Sequence, residues 1–311
     1  MIPLGIMLSR TSKFAVVDLA HTLGVDYFRP DAIFLQAEHQ PERNDIEQGR
    51  REGLKIALTT RNSSGDLDPT KPLRGRAKYA YADALRATIE HYSPDIVVVE
   101  CEHDTVRYYD GTPEQYLEQL TITVEVGHDA GVAVADGGIT SRLTALLVTE
   151  DLWSEDQQRA LDFSRVALKS LPGREKPPAD QDALQRYLHR KHNELELGQK
   201  LIQGAADAGV DFTNFHWYVQ DSQALAAAVA YLAKFGRPVM CNEMGQRAAD
   251  RVALGALLLA AVDAGIEPCI WYSLDHGGAV ALQNPDGSLR DTGLVFQSIC
   301  SLEHARGPAV A

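Results

Sequence analysis

Two short acidic stretches carry residue types that could act on one bond from two sides. Glu100-Cys101-Glu102-His103-Asp104 follows the apolar run Ile96-Val97-Val98-Val99, and Cys241-Asn242-Glu243-Met244-Gly245 follows Arg237-Pro238-Val239-Met240. A carboxylate at the end of a buried strand loses hydration, which is costly unless the group is solvated, paired or used. Taken singly, Glu100, Glu102 and Glu243 read equally well as surface charges. Two carboxyls from different strands facing one cavity are another matter, because cleavage of a glycosidic bond needs one protonated and one ionised carboxyl across it. Side chains alternate along a strand, so Glu100 and Glu102 are expected to point the same way, toward a common mouth.

Further candidates follow other apolar runs. Phe215-His216-Trp217-Tyr218 offers an imidazole, an indole and a phenol, which together supply hydrogen bonds and a flat stacking surface for a sugar ring. A satisfied core histidine is the plain alternative for His216. Trp271-Tyr272 precedes the loop Asp275-His276-Gly277-Gly278, and Arg29, Arg61 and Asn62 stand at the ends of two earlier runs.

These residues need elements to hold them, and the sequence repeats a short apolar run, a turn and a longer helical stretch. Eight runs are expected as strands: Ile2 to Leu8, Val25 to Arg29, Leu54 to Thr60, Asp95 to Glu100, Val132 to Ala135, Asp211 to Phe215, Pro238 to Cys241 and Pro268 to Trp271. Near-continuous apolar strands separated by helices of ten or more residues imply a parallel sheet covered by helices. Eight such units in 311 residues fit a single-domain (β/α)8 barrel better than an open sheet. Active sites in that architecture sit at the C-terminal ends of the strands, where the candidates above fall. One stretch departs from the rhythm: Thr149 to Arg190 is long, polar and contains Pro172, Pro177 and Pro178, as expected of a helical pair beside the barrel, a lid or a solvated excursion.

A hydrophobic fraction of 45% and a charged fraction of 23% are those of an ordinary globular protein. The net charge of -13 opposes binding to nucleic acid or anionic lipid. Cys101, Cys241, Cys269 and Cys300 are widely spaced and read as free, mostly buried thiols. With no basic leader and no apolar run of the ~18 residues that a membrane span needs, a cytoplasmic location is expected.

Taken together, the segments Val99-Glu100-Cys101-Glu102-His103-Asp104, Asn214-Phe215-His216-Trp217-Tyr218, Pro238 to Gly245 and Ile270-Trp271 resemble, in order and spacing, the large clan of retaining glycosidases (clan GH-A). Arg29 and the turn Asp136-Gly137-Gly138 fit the same pattern, and the resemblance runs from about Gly5 to Ser298. It implies Glu102 as general acid/base and Glu243 as nucleophile, with no metal and no cofactor expected; separately, the presence of only three tryptophans, Trp153, Trp217 and Trp271, argues against a long polysaccharide platform and for a short glycan or glycoside. It further implies that Tyr218 and Arg29 hold the nucleophile and that His216 and Trp271 line the reacting subsite; Trp217 and His103, at the same strand ends, are expected to contact the substrate as well. One position departs: Cys101 occupies the place of an Asn that contacts the sugar's 2-hydroxyl, and a thiol is a weak hydrogen-bond partner.

Two other readings compete. An aldolase or isomerase could cradle a phosphate on Gly277-Gly278, but no strand end carries the lysine that Schiff-base chemistry requires, and Leu8-Ser9-Arg10 lacks the paired histidines of a metal-dependent hydrolase. A non-catalytic carbohydrate-binding barrel is favoured by Cys101 and opposed by the presence of both glutamates.

Overall fold

Eight parallel strands form the centre of the protein, seen in a computed structural model that describes residues 3–7, 16–38, 43–171, 176–274 and 280–306. They are β1 (Leu4–Met7), β2 (Tyr27–Arg29), β3 (Lys55–Arg61), β4 (Ile96–Val99), β5 (Ala133–Asp136), β6 (Thr213–Trp217), β7 (Val239–Met244) and β8 (Cys269–Trp271). Each falls on an expected run. A two-residue strand, Ile33–Phe34, adds itself beside the end of β3. Neighbours pair in the order β5-β4-β3-β2-β1-β8-β7-β6. The ring closes where β5 and β6 meet through the isolated bridges Ala135 to Phe212 and Ile139 to Phe215. The fold is a single (β/α)8 barrel.

The core divides by the parity of the strands. Tyr27, Ala57, Ile96, Val98, Ala135, Met240 and Ile270, from six different strands, meet in one cluster inside the barrel. Their sequence neighbours face the helices: Val97 packs with Tyr81 and Leu85, Val99 with Tyr116 and Leu120, and Trp271 with Phe296.

Several of the helices begin where a short polar side chain can accept from free amide groups. Thr112 caps α4 (Pro113–Asp129) with a capping box, Thr140 caps α5 (Ser141–Glu155), and Asp221 caps the helix Ser222–Leu232. Over its described residues the polar stretch from Thr149 to Arg190 is largely helical. It contains the end of α5, then α6 (Gln157–Ser170, capped by Asp156) and α7 (Gln181–Arg190, capped by Asp180), followed at once by α8 (His192–Ala208). These helices stack on α5 and α8 at the flank of the barrel. Pro172, Leu8-Ser9-Arg10 and Asp275-His276-Gly277-Gly278 lie outside the described residues.

Candidate active site

Glu243 reaches the barrel interior through an irregularity in β7. Met240 faces inside and Cys241 faces the helices, so a regular pleat would turn Glu243 outward. Instead Cys241 pairs with Cys269 and Met244 with Trp271, three residues of β7 against two of β8. A bulge of this kind inserts one residue and re-aims side chains. Glu243 turns inward as a result, toward Arg29, and pairs in register with His216 on β6.

The Glu243 carboxylate is then clamped. Tyr218 donates its hydroxyl to Oε1 at 2.5 Å, and Arg29 donates from Nη1 to Oε2 at 3.0 Å. Arg29 is itself buried and donates also to Thr59 Oγ1 and to the Asn242 carbonyl. Burial pushes the Glu243 carboxyl up, but the charges of His216 and Arg29 and the two hydrogen bonds outweigh it and hold the pKa at about 2. It is a carboxylate at every working pH.

Glu102 stands opposite. Its only side-chain partner among the described residues is His216, whose Nδ1 lies 3.1 Å from Oε1. The same Nδ1 is 3.9 Å from Glu243 Oε2, so the two carboxylate oxygens facing it are at most 7.0 Å apart, the sum of these distances. Burial lowers the His216 pKa, but the two carboxylates prevail and raise it. Glu102 keeps 22% of its side chain exposed against 14% for Glu243, so it is the more open of the two.

The turn after β5 shapes this side of the mouth through two glycines. A Cβ on Gly137 would fall 2.5 Å from the Val99 carbonyl oxygen, and one on Gly138 would fall 2.7 Å from His216 Cδ2. The Gly137 carbonyl accepts from the Glu102 amide at 3.2 Å, so the turn is pressed onto the end of β4.

The chain beyond β4 leaves the pleat. Glu100 and Glu102 both have positive φ, 68° and 39°, a conformation that costs non-glycine residues on the order of 1–3 kcal/mol each. This corrects the expectation that Glu100 shares the mouth with Glu102. Glu100 is fully buried and turned aside, accepting from the Asn62 amide at 2.8 Å, Gln119 Nε2 at 2.6 Å and Thr70 Oγ1 at 2.5 Å. Its carboxyl is raised by burial, against the pull of those bonds.

Three further expected contacts are not brought to the mouth. Trp217 follows His216 on β6 and therefore faces the helices, packed edge-on against Phe215 with its indole fully buried. Trp271 is buried against Phe296 for the same reason of parity, one residue after the inward Ile270. His103 is stacked on Tyr116 at 3.8 Å and is buried. The residue after Trp271, Tyr272, takes the place at the mouth that Trp271 was expected to hold.

A cavity of about 330 Å³ opens beside Glu243, lined by Arg29, Cys101, Arg61, Tyr108 and Tyr272 among others. A larger one, about 660 Å³, lies on the flank between α5 and α7 and is lined by Trp153, Glu150 and Arg186. It contains no strand-end residue, so chemistry rather than size assigns the site. The side chains of Cys101, His216 and Glu243 offer ligand atoms within 4.8 Å of one another, a spacing loose enough to ask whether a metal fits. Two things oppose it: Arg29 already places a cation on Glu243, and burial raises the Cys101 thiol far above its ordinary range.

No family model and no curated protein matches the chain. Among solved structures, it is similar to a GH128 subgroup I endo-β-1,3-glucanase from Amycolatopsis mediterranei crystallised with laminarihexaose, at TM-score 0.56 and 13% identity over 96% of this chain and 99% of that one. A GH128 subgroup II endo-β-1,3-glucanase from Sorangium cellulosum aligns at TM-score 0.57 and 14% identity, covering 95% and 98%. An endo-β-1,4-mannanase from Thermotoga petrophila aligns at TM-score 0.59 and 14% identity, covering all of this chain and 78% of the other. What is shared at such identities is the barrel.

Proposed function

We propose that this chain is a retaining glycoside hydrolase acting on a short β-linked glycan or glycoside, with Glu243 as nucleophile and Glu102 as general acid/base. The observation that carries the reading is the unequal treatment of the two carboxyls: Glu243 is clamped and ionised, while Glu102 is open and meets a single imidazole. Glu243 attacks the anomeric carbon as Glu102 protonates the leaving oxygen, and Glu102 then activates water to release the sugar. Three of the similar barrels named above are endo-acting enzymes on β-linked glucan or mannan, which supports the substrate class. The cavity of about 330 Å³ is at the small end for ligand sites and suits one or a few sugar units.

The test is turnover of aryl β-glycosides and of laminari- and manno-oligosaccharides by the wild type, Glu102→Gln and Glu243→Gln, with the product anomer followed by NMR. Each variant is expected to lose on the order of 10²–10⁴-fold in kcat, and the first-formed anomer is expected to keep the β configuration. Turnover indifferent to both substitutions would sink the assignment. Cys101, a poor partner for a 2-hydroxyl, favours a second reading, carbohydrate binding without hydrolysis. Calorimetric binding of oligosaccharides by a wild type that turns none of them over would establish that reading instead.

A further inference from the structure

We infer that Glu100 is a positioning residue that sets the angle at which Glu102 enters the mouth, an inference that rests on the acid/base role proposed for Glu102. Glu100 does not touch the cavity, and complete burial excludes a role as a surface charge. Its two oxygens instead gather three separate pieces of the molecule. Oε1 takes the Asn62 amide from the end of β3 and Nε2 of Gln119 from α4, while Oε2 takes the Thr70 hydroxyl from the loop beyond β3. Arg61 Nε lies 3.8 Å from Oε2, and no hydrogen bond is made to it among the described residues. Arg61 is held there between the rings of Phe34 and Tyr108.

The backbone explains why such an anchor is needed. Ile96 and Val98 point inside, so an uninterrupted pleat would send Glu100 inside as well. The left-handed φ at Glu100 rotates its side chain toward α4, and a second left-handed residue at Glu102 follows two positions later. Left-handed non-glycine residues persist only where the surroundings over-determine them. The main chain supplies two bonds, Glu100 N to the Thr60 carbonyl and Glu102 N to the Gly137 carbonyl. The Glu100 carboxylate supplies three more, all on the side away from the mouth. Without them the strand end is free to return to the ordinary pleat, which carries Glu102 off His216 and off the leaving oxygen.

Loss of acid catalysis has a signature in kcat/KM, which reports the step in which the aglycone leaves: it matters for poor leaving groups and hardly at all for good ones, whereas kcat on good leaving groups is set by the later attack of water, which also needs Glu102. The experiment measures kcat and KM for the wild type, Glu100→Ala, Glu100→Gln and Glu102→Ala on aryl glycosides ranging from phenyl to 2,4-dinitrophenyl. Glu100→Ala is expected to lose roughly 10–100-fold in kcat/KM on the phenyl glycoside and less than about threefold on the dinitrophenyl one. Glu100→Gln keeps an acceptor for Asn62 and Gln119 and is expected to retain most of the wild-type profile. A crystal structure of Glu100→Ala is expected to show Glu102 displaced from His216. Equal losses on both substrates, or no loss, overturn the inference. If Glu102→Ala shows leaving-group dependence and Glu100→Ala does not, the positioning role alone falls; if Glu102→Ala shows none, the acid/base reading falls and takes this one with it. Should Glu100→Ala fail to fold, Gln119→Leu removes a single arm and is expected to show the same dependence at smaller size, a flat profile again overturning the inference.

Discussion

His103 shows how far a residue beside the candidate acid can be from the chemistry. Burial, reinforced by the charge of His216, lowers its pKa to about 3 from an ordinary 6.5, so the folded protein holds it neutral. Unfolding therefore takes up a proton, and this contribution to stability is complete above about pH 6.5 and lost as pH falls toward 3. Phenylalanine at 103 can keep the stack on Tyr116 without titrating. His103→Phe is expected to show a shallower fall of urea midpoint between pH 6.5 and pH 3 than the wild type does, and parallel curves would refute the assignment. At this scale the sequence was legible where parity alone decides. Neighbours on a strand cannot both face the mouth, so the sequence itself separates Trp217 from His216, whereas the outward turn of Trp271 follows only from seeing Ile270 inside. Glu100 was not: nothing in its neighbours announces a left-handed strand end, which depends on partners drawn from β3 and α4. The anchoring by Thr59 was equally hidden, since a threonine inside a strand carries no mark of an arginine partner.

At the scale of elements, the eight strands were readable because each is a short apolar run bounded by a breaker, and all eight lie where those runs do. The bulge in β7 was not, because an inserted residue leaves the composition of the run unchanged and shows only in pairing with β6 and β8. The turn after β5 is legible as the pattern Asp136-Gly137-Gly138, and the structure gives the pattern a cause. Gly137 sits against backbone rather than a yielding side chain, with its missing Cβ 2.5 Å from the Val99 oxygen. Gly137→Ala is expected to destabilise the fold by about 1–3 kcal/mol, as overpacking does. It is also expected to lower kcat more than Gly49→Ala, a substitution on the outer helix Asn44–Arg51 where an added Cβ meets nothing closer than 3.5 Å. Thermal unfolding and kinetics on one aryl glycoside decide it, and equal behaviour of the two variants would remove the close approach as the cause.

Considered whole, the barrel is not equally tied around its circumference. β4 shares a four-residue register with both β3 and β5, whereas β5 and β6 meet only at two isolated bridges. The chain between those two strands is also the part enlarged by α5 to α8, and α5 packs on β6 across the gap. Amide hydrogen exchange is expected to be faster for Phe212 to His216 than for Ala57 to Thr60, and the reverse order would show the seam to be as firm as the rest. The position of that seam has a consequence for binding. Glu102 belongs with β4 and β5, while His216 and Glu243 belong with β6 and β7, so the two carboxyls stand on opposite banks of the weakest join. A sugar gripped by both would bridge the banks like a clasp, and its arrival should slow exchange along the whole length of β6, most where the ring is otherwise least fastened.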